Sequence, residues 1–244
     1  LSVSDANEWA ALRGRSLLVA VPAYTASVHV RHVASLVESL SLLRDAGVVT
    51  RCHWLSDCAI IVRARNEIVA SFMASGLDYL LMADSDICWQ ADAPLRLMRH
   101  DRPFVAATTV TRGNKLYCIR NSTWGNNAFD YLPDAGLLRV GAVGTGFVML
   151  RRDMIERMAD GYPDLKLEDE RVSPAARQHL YAYFHQMITP ARTLEGEDYA
   201  FAERWRAIGG EIFVDPHIEL SHFSREELGG RLIDAIQFPD AEAA

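Results

Sequence analysis

The chain has 244 residues, half of them hydrophobic, which suffices to bury the core of one large α/β domain without disulfide or metal staples. Its formal charge of -7 excludes a generally basic surface of the kind that wraps a nucleic-acid backbone. No apolar run approaches the roughly 20 residues of a bilayer-spanning helix, residues 1–15 lack the apolar stretch of a signal peptide, and Cys52, Cys58, Cys88 and Cys118 lack zinc-type spacing. Together these features predict reduced thiols, a cytoplasmic protein and no stable membrane insertion.

The first element is the apolar run 16–21, a buried strand stopped by Pro22, with Tyr24 in the loop beyond it. Val30, Val33, Leu36, Val37, Leu40 and Leu43 recur at helical spacing and predict an apolar stripe on a helix that runs from His29 to a stop at Gly47. A strand over 48–55 and a helix over 65–75, with Ile68, Val69, Phe72 and Met73 inward, make the second unit. Residues 78–83 are a strongly apolar strand that runs directly into Asp84-Ser85-Asp86. A helix over 93–100 and a strand over 104–110 continue the alternation, which predicts an α/β fold with a mostly parallel sheet flanked by helices.

The second half is less regular and mixed. It holds two short strands across 137–150 around Gly141, Gly144 and Gly146, a helix from Asp153, and a long mobile segment over 161–194. A helix over 197–208, short strands over 211–214 and 218–222 and a last helix over 225–236 follow. No linker composition marks a boundary, so residues 1–244 read as one domain.

With 18 Asp in the chain, an Asp-x-Asp arises about once by chance, so the triplet matters only for its place. Ligands of open α/β sheets bind beyond the carboxyl ends of the strands, and two carboxylates there have no core role. A bound Mg²⁺ or Mn²⁺ would balance them and in turn suit a diphosphate. The plainer alternative is a solvated turn that caps the next helix. Of the 25 basic residues only Lys115 and Lys166 are lysines, so any phosphate clamp is made largely of guanidinium groups.

Val21-Pro22-Ala23-Tyr24, Arg65-Asn66-Glu67, the strand ending in Asp84-Ser85-Asp86, Gly144-Thr145-Gly146 and Glu197-Asp198 follow one another in an order that resembles the landmarks of GT-A glycosyltransferases, especially the family-2-like group. The resemblance covers about residues 16–222. It implies a Rossmann-like nucleotide-binding half, about 16–110, and an acceptor-binding half, about 111–244. It also implies a nucleotide-diphosphate sugar donor, Mn²⁺ or Mg²⁺ at the Asp-x-Asp motif, and transfer of the sugar to an acceptor hydroxyl, for which inversion is the preferred outcome and retention stays open. Carried over by position, Pro22 and Tyr24 line the base and ribose pocket, Arg65 lies near the nucleotide, and Asp84 and Ser85 face the donor. Gly144 and Gly146 let the backbone approach donor or acceptor. Asp198 is the base with Glu197 in reserve, and Asp84, Asp86 and His222 hold the metal.

Each of these residues has a plainer alternative. Arg65 and Asn66 would form an exposed first helical turn, and the glycines a hairpin turn at positive φ. Glu197 and Asp198 would be carboxylates favoured at a helix N-terminus, and His222 a satisfied structural histidine. A strand entering Asp-x-Asp also resembles HAD-type phosphatases, with Asp84 as nucleophile. Against that, Cys88 stands where Thr or Val is usual, and only Lys115 and Lys166 offer the required lysine. A non-catalytic nucleotide-binding module is the third reading. The acceptor stays open among a glycan, a protein, a small molecule and a hydroxymethylated DNA base, with Trp124, Tyr131, Tyr181, Tyr183 and Phe184 able to stack on it.

Overall fold

The computed structural model describes residues 9–110, 116–121, 130–223, 227–230 and 232–234; Lys115 and Trp124 lie outside them. The strands are β1 (Ser16–Ala23), β2 (Val49–Ser56), β3 (Tyr79–Ala83), β4 (Ile87–Trp89), β5 (Phe104–Ala106), β6 (Ile119–Arg120), β7 (Asp130–Leu132) and β8 (Leu137–Val140). They continue with β9 (Ala142–Val143), β10 (Phe147–Arg151), β11 (Met187–Ile188), β12 (Leu194–Glu195), β13 (Ile212–Val214), β14 (Leu220–Phe223) and β15 (Glu227–Gly230). The helices are α1 (Val30–Asp45), α2 (Ile61–Ser75), α3 (Ala93–Arg99), α4 (Arg152–Gly161), α5 (Pro174–Arg177) and α6 (Glu197–Ala207).

One eight-stranded sheet, in the order β2-β1-β3-β10-β5-β13-β8-β7, forms the frame. Pairing is parallel for β1 with β2 and β3 and for β5 with β13. It is antiparallel where β10 meets β3 and β5, and where β8 meets β13 and β7. Strands β2, β1, β3, β5, β13 and β7 therefore share one direction, which β10 and β8 oppose.

Alternation along the strands serves both faces. Leu18, Ala20, Leu80 and Met82 meet Ile68 and Phe72 of α2, Met154 of α4 and Trp205 of α6. Leu17, Val19, Tyr79 and Leu81 meet Leu36 and Leu43 of α1 and Leu95 and Met98 of α3. Helices on both faces of a sheet that is mostly parallel in strand direction make an α/β, Rossmann-like arrangement. The shared direction brings the carboxyl ends of β1, β2, β3 and β5 to one edge, and β10, running the other way, starts from that same edge.

Several local expectations are corrected. Pro22 does not stop β1, which runs on to Ala23; pairing with β3 ends at Ala20, so the missing N–H of Pro22 falls where β1 has only β2 beside it. Helix α2 starts at Ile61, a full turn early, which puts Arg65 in its second turn. Helix α1 shows a different face from the apolar stripe: Val30, Val33 and Val37 are 75, 39 and 60% exposed. Buried instead are His32, Ser35 and Ser39, together with Leu36 and Leu43.

Segment 161–194, expected to be mobile with a small helix, holds that helix as α5 and is anchored in its middle, whereas Ile188 and Leu194 near its end are exposed. Val172, Ala176, Leu180, Tyr183 and Phe184 are buried, and the Phe184 amide donates to Asn66 Oδ1 at 3.0 Å. Its apolar residues serve irregular turns, which periodicity does not detect. Residues 227–230, expected helical, form β15 against β14, where Gly229 and Gly230 make helix costly. The rest of that expected helix, apart from 232–234, lies outside the described residues. None of the four cysteines is in a disulfide, and no helix among the described residues is long and apolar enough to cross a membrane.

Candidate functional site

Strand β3 is buried along its whole length and ends where the sheet ends, so Asp84 is delivered to the edge by the hydrophobic drive that buries Tyr79 to Ala83. The strand start of β10 closes over it: the Asp84 amide donates to the Gly146 carbonyl at 2.8 Å. A Cβ on Gly146 would lie 3.0 Å from Asp84 Oδ2 and 2.8 Å from Ile87 Cδ1, and one on Gly144 would lie 3.1 Å from Cys118 Cβ. Neither glycine has positive φ. The sequence needs glycine here for close approach, not for turn geometry.

Arg65 lies beneath this edge, its side chain 5% exposed. Nη2 is 3.3 Å from both oxygens of Asp84, and Nη1 is 3.2 Å from Glu197 Oε1 and bonds Asp198 Oδ1 more closely still. The buried Thr145 hydroxyl donates to that same Asp198 oxygen. Burial pulls the Arg65 pKa down, but Asp198, Asp84 and Glu197 outweigh it and leave it raised, so the guanidinium is a fixed charge. The alternative of an exposed first turn is thereby overturned for Arg65, whose buried guanidinium is committed to carboxylates. Of the other expected nucleotide contacts, Pro22 is buried in β1, whereas Tyr24 is 61% exposed and open to a ligand.

Asp86 and His222 meet at the rim. Antiparallel pairing sets His222 opposite Ile87, and the Phe223 amide donates to the Asp86 carbonyl at 2.8 Å, which brings His222 Nε2 to 3.3 Å from Asp86 Oδ2. A carboxylate oxygen and an imidazole nitrogen converging on one point fit a divalent cation such as Mn²⁺ or Mg²⁺. Asp84, expected as a further ligand, turns both oxygens toward Arg65. Among the described residues no group of three or more His, Cys, Asp or Glu is arranged to hold a metal, and of the three expected ligands it is Asp86 and His222 that meet.

Between these groups lies a cavity of about 100 Å³ lined by Asp84, Asp198, His222, Gly144 and Gly146. Glu197 is not among its walls; it braces Arg65. Thr108, Thr109 and Cys118 also line the cavity, and sequence reasoning missed them. The position of the two threonines just past β5, at the ligand edge, was the available signal; Cys118 had none. Burial, then Asp198 and Asp84, push the Cys118 thiol up, so it stays protonated and serves as a wall, not a nucleophile.

The aromatic candidates pack. Tyr183 and Phe184 are buried, and Tyr181 stacks on Tyr183 at 5.1 Å. Lys166 is tied to the Gln178 carbonyl and sits over Tyr181, away from the cavity, so among the described residues no lysine serves a phosphatase at Asp84. A larger hollow of about 300 Å³ has charged walls, Arg151 with Asp101 and Asp153, that already pair with one another. No protein-family model matches the chain, and a search of curated proteins finds no significant match.

Proposed function

We propose that the chain is a metal-dependent glycosyltransferase of the GT-A type, which moves a sugar from a nucleotide-diphosphate sugar to an acceptor hydroxyl. What carries this reading is convergence. Asp84, Gly144, Gly146, Asp198 and His222, drawn from four separate stretches of the sequence, line one cavity at the carboxyl edge of the sheet, with Asp86 beside His222 and Glu197 bonded to the same guanidinium as Asp198. Chance Asp-x-Asp triplets and chance helix-terminal carboxylates have no reason to assemble in this way.

The Asp86–His222 pair would hold Mn²⁺ or Mg²⁺, and the bound ion would offset the charge of a leaving diphosphate. The remaining chemistry falls to the chain's own side chains. Arg65 and Thr145 fix Asp198 through Oδ1 and leave Oδ2 on the Gly144 side of the cavity, where it accepts the acceptor's proton during attack. The Arg65 guanidinium bridges Asp84 and Asp198 and holds the two carboxylates side by side. An inverting displacement needs a base beside the acceptor as well as a cation beside the leaving group, and Asp198 and His222 line the same cavity.

Calorimetry with UDP-, GDP-, TDP- and CDP-sugars, each with Mn²⁺ and with EDTA, tests the reading. One donor is expected to bind with Mn²⁺, and at least about tenfold more weakly with EDTA or in Asp86→Asn, a difference of roughly 1.4 kcal/mol. Equal affinity under all three conditions would overturn it.

A further inference from the structure

The polar face of α1 is explained by what it touches. Three successive carbonyls, the last two of the motif and that of Ile87, accept hydrogen bonds from three different places. The His29 amide donates to Ser85 at 2.9 Å, the Phe223 amide to Asp86 at 2.8 Å, and His32 Nδ1 to Ile87 at 2.9 Å. Further along α1, Ser35 Oγ accepts from the Trp89 amide at 3.1 Å and Ser39 Oγ from Trp89 Nε1 at 2.9 Å. The His29 ring stacks on Phe223, centroids 4.0 Å apart and 6° from parallel, so the two flanking clamps also hold each other. The buried face of α1 thus holds Ile87 and Trp89, and among the described residues His32 is its side chain that bonds a carbonyl directly after the motif.

We propose that His32 is a positioning residue: its Nδ1–H, donated to the Ile87 carbonyl, fixes the Asp84-Ser85-Asp86 turn in the geometry that aims Asp86 at His222. A carbonyl only accepts, so Nδ1 carries the hydrogen. Nε2 is buried without a hydrogen-bond partner, and the ring meets Trp89 edge-on at 4.9 Å. Burial lowers the pKa of the ring against weaker opposing pulls from the Ile87 and Asp84 carbonyls and from Asp86 and Asp84, which suits a neutral ring with one donated hydrogen. Ile87 carries the backbone that pairs with His222, so a slack carbonyl here moves both members of the Asp86–His222 pair.

The cation arm of the test rests on the proposed function; the exchange arm does not. On the full chain, hydrogen exchange over residues 84–89 and 220–223 and Mn²⁺ titration by the free-ion EPR signal are compared in wild type, His32→Leu, His32→Asn and His32→Gln. His32→Leu is expected to speed exchange of the turn at least about tenfold, leave β13 unchanged and weaken Mn²⁺ at least about tenfold. Asn places its amide nitrogen where Nδ1 stands and should restore both to within about threefold, whereas Gln, reaching one carbon further, should restore neither. Unchanged turn exchange in His32→Leu, equally fast exchange in every strand, or identical behaviour of Asn and Gln overturns the proposal. If Mn²⁺ does not bind even wild type, the cation reading falls, and the exchange arm still decides for or against His32.

Discussion

Two charge clusters at strand ends invite comparison. Asp215, 3% exposed at the end of β13, receives Arg96 Nη2 at 3.1 Å on both oxygens, His100 Nε2 at 3.0 Å and the His217 amide at 2.9 Å. Burial alone would raise its pKa, but His100 and Arg96 overcome this and hold it below the usual carboxylate range. Here one carboxylate is met by an excess of donors. At the end of β3 the ratio is inverted: Arg65 serves Asp84, Glu197 and Asp198, and Asp86 stands nearby. A cluster built only for stability has no reason to carry that surplus of negative charge, whereas one that receives a cation does.

The sharpest way to break the comparison is Arg65→Met. It leaves three partly exposed carboxylates together without their cation, which should cost about 2–3 kcal/mol, less than the roughly 3–5 kcal/mol of breaking a fully buried pair, read from urea denaturation at pH 7. Arg65→Lys keeps the charge without the planar fork and should fall between the two. Saturating Mn²⁺ should return part of the stability lost in Arg65→Met if surplus charge is the cause. A Met variant as stable as wild type would remove Arg65 from the centre of the site.

Much of this cluster was legible in the sequence because strand ends are. The apolar run before Asp84, the glycine pair before β10 and the carboxylates opening α6 each sit at an element boundary, where hydrophobic pattern and turn chemistry agree. What the sequence concealed depends on partners outside the local pattern. Arg65 read as a surface residue because α2 was started a turn late, and its three carboxylates lie 19 to 133 positions away. Helix α1 offered apolar Val30, Val33 and Val37, yet tertiary hydrogen bonds to the strand after the motif selected the stripe of His32, Ser35 and Ser39. Tyr183 and Phe184 lie in a segment without period, so no helical or strand template could assign them to the core.

The next contrast separates turnover from stability. Asp198→Asn keeps an oxygen to accept from Arg65 and Thr145 but removes the basic charge, so turnover should fall at least about a hundredfold, roughly 2.7 kcal/mol, with donor affinity nearly intact. Its denaturation midpoint should stay near wild type. Near-normal turnover, or a product that keeps the donor's anomeric configuration, would end the assignment of Asp198 as the inverting base.

Asp215→Asn should show the converse: stability lost, donor binding kept. The folded-state pKa of Asp215 is depressed, so its contribution is present above the unfolded pKa of about 3.9 and disappears as pH falls through the lower folded value. Protonation then removes in wild type the same charge that the substitution removes permanently. At pH 7 the variant should be less stable by about 1–3 kcal/mol, the usual worth of hydrogen bonds to a charged group. That gap should narrow as pH falls below about 4 and close once pH has passed the lower folded value, because an Asn and a protonated Asp offer Arg96 similar neutral acceptors. Urea denaturation of both proteins from pH 7 downward measures the difference directly. A gap that stayed constant with pH would mean that shape, and not charge, holds β13 to α3, and the balanced half of the comparison would fail.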